Sequence, residues 1–363
     1  MQKEVAIVGG GVVGLVLAKE LAKHGVDTTV YEAKREVGEG ANKASGILSV
    51  EGLKQIGVDY RAAILNSLSG AVLYAGKQKL TIKSNETKAY VLDREIFAKV
   101  CANEAEDAGA KIIRNAKVGK EMLDQFGTDK IIVGADGVVS SVANHFDFPK
   151  INNFILTYKA EYEKPNISDV NSCELFFYDA PKKFFGWTVP HSDSVLEVGI
   201  GEWIRTRRNS YSVFSSFVTN PIVSAELDGS RRVSGLASII PLEARKRTVK
   251  GNVLLVGDAA GQVKATTGGG IVFGSLCAKT AAEAITSHIK KGTQLSLYEK
   301  MWRSRYGLDL KMHRIIHGYY SGMGARGSAM LFRLAKLFGA ESFLSEYGDM
   351  DRPSLVVKRL FIR

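Results

Sequence analysis

The segment VAIVGGGVVGLVLAKELAKHGVDTTVYEAK (residues 5–34) combines an apolar run of strand length, a glycine-rich turn, an amphipathic helix and a second strand. Its glycines Gly9, Gly11 and Gly14 have the spacing GxGxxG. In such a turn the first glycine permits the tight bend, the second lets a pyrophosphate approach the backbone, and the third allows close packing of helix on strand. The N–H groups and the positive dipole of the helix N-terminus attract phosphates. The segment therefore predicts a dinucleotide-binding domain.

One acidic residue narrows the choice of dinucleotide. Glu32 ends the second strand, about 18 residues after Gly14. A carboxylate in this place accepts hydrogen bonds from ribose hydroxyls and repels a 2′-phosphate. The sequence therefore predicts NAD or FAD at this site and argues against NADP.

Composition and cysteine usage indicate a soluble globular protein. The chain of 363 residues is 45% hydrophobic and 24% charged, and its length suits two domains or one elaborate domain. Its three cysteines lie far apart without a CxxC pair and its six histidines are scattered, which argues against a disulfide framework, an iron–sulfur cluster and a metal site. The first strand begins almost at once and no apolar run has the length of a membrane span, so we expect no signal peptide and a cytoplasmic location.

The chain is basic, with a formal net charge of +11. Such a charge can serve nucleic acid, an anionic membrane surface or an acidic protein partner. No run of Lys and Arg interleaved with aromatic residues is present, which argues against nucleic acid. Peripheral contact with the inner face of a membrane, an acidic electron donor and a plain solvated surface stay open as interpretations.

A second glycine-rich segment, NVLLVGDAAGQVKATTGGGIVFGSLCAKTAAEAIT (residues 252–286), reads as a buried strand, a loop and a helix rich in small residues. Asp258 follows the strand at its carboxyl end, where ligands bind in open α/β sheets. Gly268, Gly269 and Gly270 open the helix, whose N-terminus can stabilise negative charge on a bound group. The segment resembles the second flavin fingerprint of the para-hydroxybenzoate-hydroxylase-type flavoproteins. The resemblance implies FAD, with the aspartate on the ribityl chain and the glycines facing the flavin pyrimidine.

Two shorter segments extend this resemblance. VGADGVVSSVA (133–143) looks like the DG motif of these flavoproteins at Asp136 and Gly137, and YVLDREIFAKV (90–100) is similar to their segment in which an arginine, here Arg94, reaches the cofactor. The resemblance implies further cofactor contacts at Arg35, Ala44, Ser45, Val118 and Ile271. No second GxGxxG unit is present, which argues against a separate NAD(P)H domain.

The order of the segments predicts a mixed α/β (α+β) fold in three parts. A Rossmann-type FAD-binding domain is interrupted by an antiparallel β-sheet substrate domain, with the active site at their junction, and a helical C-terminal tail follows. The predicted ranges are 1–58, 88–150 and 245–294 for the FAD-binding domain, 59–87 and 151–244 for the substrate domain, and 295–363 for the tail.

The stretch KKFFGWTVP (182–190) resembles the Tyr-x-Trp-x-Phe-Pro motif on a substrate-domain strand of geranylgeranyl reductases. Aligned on Pro190, the chain has Phe185, Trp187 and Val189 where the motif has Tyr, Trp and Phe, so Trp187 and Pro190 match. Alternation on a strand would place these three side chains on one face and Phe184 on the other. The resemblance implies that residues 185, 187, 189 and 190 form the wall for a prenyl chain, whereas spacing alone also allows an ordinary core.

The same branch is similar to the chain at TTGGGIVFG (266–274) and at ANKASGILS (41–49), where Ala44 replaces the cysteine of many members. The resemblance implies an FAD-dependent reductase that saturates C=C bonds of geranylgeranyl chains on archaeal-type membrane lipids. Its electron donor would be ferredoxin-like or NAD(P)H. Phe185 lacks the tyrosine hydroxyl and no acid is evident, so the catalytic residues stay unassigned and ordered water is the expected proton source. The alternatives are a flavin monooxygenase acting on an aromatic substrate and a flavoprotein relay of electrons to a quinone.

Overall fold

The computed structural model describes residues 4–43, 45–127, 129–177, 184–206 and 208–360. Their strands form three β-sheets. The strands are β1 (Val5–Val8), β2 (Thr28–Tyr31), β3 (Ile47–Ser49), β4 (Ile64–Leu68), β5 (Gly70–Ala75), β6 (Gln78–Lys83), β7 (Ala89–Leu92), β8 (Lys111–Ile113), β9 (Ile131–Gly134), β10 (Phe154–Glu163), β11 (Ser172–Phe177), β12 (Gly186–Pro190), β13 (Val195–Trp203), β14 (Arg231–Arg232), β15 (Leu236–Pro241), β16 (Val249–Lys250) and β17 (Val253–Leu255).

Helices cover the sheets and make up most of the C-terminal region. They are α1 (Val12–Lys23), α2 (Val50–Ile56), α3 (Arg94–Asp107), α4 (Lys120–Phe126), α5 (Ser141–His145), α6 (Ser210–Phe217), α7 (Pro221–Glu226), α8 (Ile271–Lys291), α9 (Leu297–Gly322), α10 (Ala325–Leu337), α11 (Ala340–Tyr347) and α12 (Pro353–Leu360). Among the described residues, no helix combines the length and the apolar content that crossing a membrane requires.

The first sheet has the order β16-β17-β9-β1-β2-β8 and is parallel except for its edge strand β16. Both of its faces are buried, as parallel sheets require. Ile7 and Val133 point into a core with α1 and α8, whereas Ala6 and Ile132 point into a second core with α4. The two glycine-rich loops therefore meet at the carboxyl ends of β1 and β17, which are both neighbours of β9. This arrangement confirms the predicted Rossmann-type architecture.

The second sheet has eight strands, in the order β14-β10-β13-β12-β11-β5-β6 with β15 also paired to β10. Its pairs are antiparallel except β5 with β11. One face packs against α6 and α7 around Phe214 and Phe217. The opposite face carries Trp187 and Val189 and packs against Ala265, which belongs to the loop before α8. This second face is the one that meets the predicted flavin segment.

A small third sheet, β3-β7-β4, links the two parts of the chain. Its strands β3 and β7 lie in ranges assigned to the FAD-binding domain, and β4 lies in a range assigned to the substrate domain. The mixed α/β fold and the helical C-terminal region are confirmed by the structure, and the domain boundaries stay a prediction.

Candidate active site

Of the three glycines that define the GxGxxG motif after β1, the fold itself requires two, Gly9 and Gly14. Gly9 has φ +109°, and a Cβ there would lie 2.4 Å from the carbonyl oxygen of Ala135. A Cβ on Gly14 would lie 2.2 Å from the carbonyl oxygen of Gly9. At Gly11, the residue before α1, a Cβ would meet no described atom within 4 Å. The open space at Gly11 fits the close approach of a pyrophosphate, so the residues present suit a dinucleotide.

Matched alanine variants separate these two roles. Gly11→Ala should leave the stability of the FAD-free protein unchanged and weaken FAD binding by about tenfold or more, because its methyl group enters only the ligand's space. Gly14→Ala should instead lower the free energy of unfolding by about 2 kcal/mol, because the added methyl group overlaps backbone. Urea unfolding of the FAD-free proteins and flavin fluorescence titration measure the two effects. Equal FAD affinity of Gly11→Ala and the wild type would contradict the assignment.

Glu32 is held in place by the backbone of the same turn. Its two carboxylate oxygens accept hydrogen bonds from the N–H groups of Gly10 and Lys34, each at 2.7 Å. A Cβ on Gly10 would come within 2.8 Å of the carboxylate, so this glycine, which the motif does not specify, is also needed. The carboxylate therefore has a fixed position at the end of β2, as a partner for ribose hydroxyls requires.

Asp258 lies against the start of α8, and the charge of the buried Arg94 acts on it. Burial raises the pKa of Asp258, and the Arg94 guanidinium lowers it. A Cβ on Gly270 would lie 2.5 Å from Asp258 Oδ1, so the helix start and the carboxylate are in close contact. The buried Nε of Arg94 has no hydrogen-bond partner among the described residues. A buried donor without a partner and a glycine-lined helix N-terminus each fit an anionic or carbonyl-rich group such as a flavin.

The remaining residues that were predicted to contact the cofactor differ in burial and in their local roles. Asp136 accepts hydrogen bonds from the hydroxyls of Ser140 and Ser141 at 2.6 and 2.9 Å, so it has a local role at the start of α5. Gly137, the next residue, has φ +77°. Val118 is buried in the core around β1 and β9, Arg35 is exposed, and Ile271 is the first residue of α8. Ala44 lies outside the described residues, and cofactor contact by this group stays a prediction.

A buried ionic cluster, which the sequence analysis missed, lies on the face of the second sheet that packs against the loop before α8. Glu197 is fully buried, and its carboxylate accepts from the Lys159 ammonium at 2.6 Å and from the Trp187 indole N–H at 2.8 Å. The hydroxyl of Ser45 also donates to this carboxylate, and His191 Nε2 lies 3.4 Å from it. Burial would raise the pKa of Glu197, but Lys159 and His191 lower it well below its usual range. The cluster therefore joins the predicted wall to the loop that carries Ser45.

This cluster had a weak signal in the sequence. Lys159 lies opposite Gly199 in the β10–β13 pair, and Glu161 lies opposite Glu197. In the sequences of β10 and β13 these charges alternate with apolar residues such as Ala160 and Val198, which pack under α6 and α7. The charges therefore lie on the opposite face of the sheet. Gly199 leaves room for the Trp187 ring in this cluster, because a Cβ at position 199 would lie 2.2 Å from that ring.

The residues of the predicted wall lie in two different surroundings, and their role as a wall stays a prediction. Phe185, Trp187 and Val189 share one buried apolar cluster. Phe184 belongs to this cluster too, and its ring stacks on that of Phe185 at 4.3 Å between centroids. The prediction that Phe184 faces the other way is wrong, because β12 begins only at Gly186 and strict alternation does not extend to residues 184 and 185.

Pro190 does not share this wall. In the β12–β13 pair it lies opposite Leu196, whose side chain belongs to the core under α6 and α7. It lines a cavity of about 260 Å³ together with Thr188, Glu174 and Glu226. Its assignment to the same surface as Trp187 is therefore a misplacement, caused by treating the end of the motif as one surface although neighbouring strand residues point to opposite faces.

A second buried ionic cluster ties the C-terminal tail to the loop before α8. Lys264 donates to Asp351 Oδ1 at 2.6 Å, and the hydroxyl of Ser49 donates to the other carboxylate oxygen. His313 Nε2 lies 3.0 Å from the backbone carbonyl oxygen of Asp351, so this nitrogen carries the hydrogen, and Nδ1 accepts from the Thr266 hydroxyl at 2.7 Å. Burial lowers the pKa of His313 to about 4, which keeps the ring neutral at neutral pH.

Residues 2–299 match the family described as FAD binding domain. The chain belongs to this family. The predicted FAD cofactor and flavin-dependent oxidoreductase class are therefore confirmed, and FAD binding by the two glycine-rich segments stays a prediction.

Relatives of this family member include proteins with names that state an activity. The digeranylgeranylglycerophospholipid reductase of Methanococcus vannielii is 29% identical over 327 residues, which cover 84% of this chain and 83% of the relative. The reductase of the same name from Methanocaldococcus jannaschii is 29% identical over 341 residues, with 85% and 84% covered. An uncharacterized protein of the latter organism is 26% identical over 374 residues, with 98% and 94% covered.

Solved structures share the fold. A geranylgeranyl bacteriochlorophyll reductase-like protein from Thermoplasma acidophilum superposes with a TM-score of 0.83 at 21% identity, covering 98% of this chain and 94% of its own. The flavin-dependent brominase Bmp2 superposes with a TM-score of 0.73 at 14% identity, covering 93% and 90%. The same fold thus supports different flavin chemistries, so the reaction has to be argued from the site.

Proposed function

We propose that this protein is an FAD-dependent reductase that saturates C=C bonds of geranylgeranyl chains on archaeal-type membrane lipids. The observation that carries the proposal is the position of the aromatic wall. Phe184, Phe185 and Trp187 lie in one apolar cluster with Ala265, which precedes the glycines of the FAD loop. A long apolar chain needs such a surface beside the flavin. The names of the archaeal relatives support the same substrate class.

The chain's own residues would act mainly by positioning. Reduced FAD, when bound, supplies a hydride to one alkene carbon, and a proton must reach the other. An isolated alkene offers little charge to bind, so holding it at the correct distance and angle has to supply much of the rate. The ring faces of Phe185 and Trp187 also stabilise positive charge that develops on a carbon of the substrate.

Glu197 is not the proton donor in this proposal. Its lowered pKa keeps it ionised, so it accepts hydrogen bonds and fixes the Trp187 indole. Lys159 is engaged by the same carboxylate at 2.6 Å. Ordered water therefore stays the proposed source of the proton.

We propose an acidic ferredoxin-like protein as the electron donor. The net charge of +11 favours an acidic ferredoxin-like protein, with NAD(P)H as the alternative donor. Reduction by a protein donor should slow steeply as salt is raised, because screening weakens the charge attraction. Stopped-flow reduction of FAD at several salt concentrations tests this, and a rate insensitive to salt would argue for NAD(P)H.

The central experiment is anaerobic incubation of the reduced holoenzyme with geranylgeranyl lipids, followed by mass spectrometry. We expect a gain of about two mass units for each double bond reduced. Trp187→Ala should lose this activity while still binding FAD, and Ile222→Gln, an exposed change on α7, should keep it. No mass gain across a lipid panel would refute the proposal, and oxygen uptake driven by NAD(P)H would favour the monooxygenase alternative.

A further inference from the structure

Exposed apolar side chains concentrate in the C-terminal helices. Among the described residues, eighteen large hydrophobic side chains are exposed, and twelve of them lie between residues 308 and 360. That segment is about a seventh of the chain, and the other six side chains are scattered over the remainder. Single exposed apolar residues are ordinary, but a concentration of this kind marks an interaction surface.

On α10 and the residue after it, these side chains form a stripe. Met330, Leu334, Leu337 and Phe338 have the i, i+4, i+7, i+8 spacing of one helix face. Leu337 is 73% exposed and Phe338 is 86% exposed. The protein itself does not bury this stripe. We therefore expect another surface to cover the stripe.

The charges around the stripe point to an anionic surface. The charged residues of α10 are Arg326, Arg333 and Lys336, and this helix contains no acidic residue. The charged residues of α12 are Lys358 and Arg359, again without an acid. Near the stripe, Lys336 also pairs with Glu341 of α11 at 3.6 Å, which leaves Arg326 and Arg333 as basic residues of α10 outside this pair. Exposed apolar side chains on helices whose own charges are all basic are typical of helices that lie in the interface of an anionic bilayer.

The inner sides of α9 and α10 lie over the aromatic wall. Phe332 of α10 and Tyr320 of α9 contact the Phe177 ring, at 5.9 and 5.3 Å between centroids. Phe177 in turn lies 5.4 Å from Phe185. These helices therefore have the wall on one side and exposed apolar side chains on the other.

We propose that α9, α10 and α12 dock the protein on an anionic membrane surface, with the stripe of α10 inserted among the lipid acyl chains. The docking would place the wall next to the bilayer, so that a prenyl chain could enter the site without crossing water. This last step rests on the proposed function, whereas the docking itself does not.

Vesicle flotation of the full-length holoenzyme tests the docking. The wild type should float with phosphatidylglycerol vesicles and much less with phosphatidylcholine vesicles. Leu337→Gln with Phe338→Gln should weaken binding to the anionic vesicles by about tenfold or more, since two apolar side chains no longer enter the lipid. Arg326→Gln with Arg333→Gln should weaken it by about tenfold, and only for the anionic vesicles. The control double variant Ile222→Gln with Val233→Gln removes two exposed apolar side chains elsewhere and should bind as the wild type does.

Three results would overturn the proposal. The first is that the wild type does not float with the vesicles, and the second is that the Leu337/Phe338 double variant binds as well as the wild type. The third is that the wild type is a dimer and this variant a monomer, because the stripe would then face a second copy of the chain. Turnover of detergent-dispersed geranylgeranyl lipid distinguishes the two proposals. It should survive in the Leu337/Phe338 variant, and its absence in every protein would refute the reductase function while leaving the vesicle result intact.

Discussion

Replacing Lys159 with methionine should lower the free energy of unfolding by about 3–5 kcal/mol, because it leaves a buried carboxylate without its cation. Lys159 is 2% exposed and Glu197 is fully buried. The remaining hydrogen-bond donors to the carboxylate, Trp187 and Ser45, are neutral. His191 Nε2 is farther from the carboxylate, at 3.4 Å, than the 2.6 Å of the Lys159 ammonium, so it replaces the lost attraction only in part. Urea unfolding of the FAD-free protein gives the change. Lys83→Met is the matched control, because its ion pair with Asp169 is exposed and should contribute no more than about 1 kcal/mol.

The double variant Lys159→Met with Glu197→Gln separates charge from shape. It removes both charges and keeps a hydrogen-bond acceptor for the Trp187 indole, so most of the lost stability should return. If the proposed function is correct, lipid reduction should return as well, because the fixed indole rather than the charge positions the substrate. A single Lys159→Met variant as stable as the wild type would show that the cluster is solvated and has no part in holding the wall.

The sequence predicted the features that depend on local chemistry. The GxGxxG turn, Glu32 and the Asp258 segment each contain their signal within a few residues, because a tight turn, a helix start and a strand end constrain neighbouring positions. The order of these segments along the chain was then enough to give a Rossmann-type domain with an inserted sheet.

The sequence could not predict the features that depend on strand pairing and on the tail. Lys159 and Glu197 are 38 positions apart, and Ser49 and Asp351 are 302 apart. Their contacts follow from the register of β10 on β13 and from the return of the tail to the FAD loop, neither of which leaves a local pattern. The error at Phe184 is of the same kind, because the point at which a strand begins decides which way its first side chains face.

Asp351→Ala should lower both the free energy of unfolding and the affinity for FAD. It leaves the buried Lys264 ammonium without its carboxylate, and we expect a loss of about 3–5 kcal/mol in the free energy of unfolding. Lys264 also packs against the glycines at the start of α8, which are predicted to face FAD, since a Cβ on Gly269 would lie 2.8 Å from the Cε atom of Lys264. If the loop loses its support, FAD has to order it on binding, and an ordering cost of about 1.4 kcal/mol already weakens binding tenfold.

Flavin fluorescence titration at a temperature where the variant is folded measures this second effect. Glu283→Ala is the control, because it removes a carboxylate that pairs with Arg305 on the exposed side of α8 and should leave FAD affinity unchanged. A destabilised Asp351→Ala protein with wild-type FAD affinity would mean that the tail only packs on the domain. Loss of affinity would instead mean that the tail, which reaches the aromatic wall through α9 and α10, also maintains the cofactor loop. Any event that moved these helices would then change FAD binding and access to the wall together.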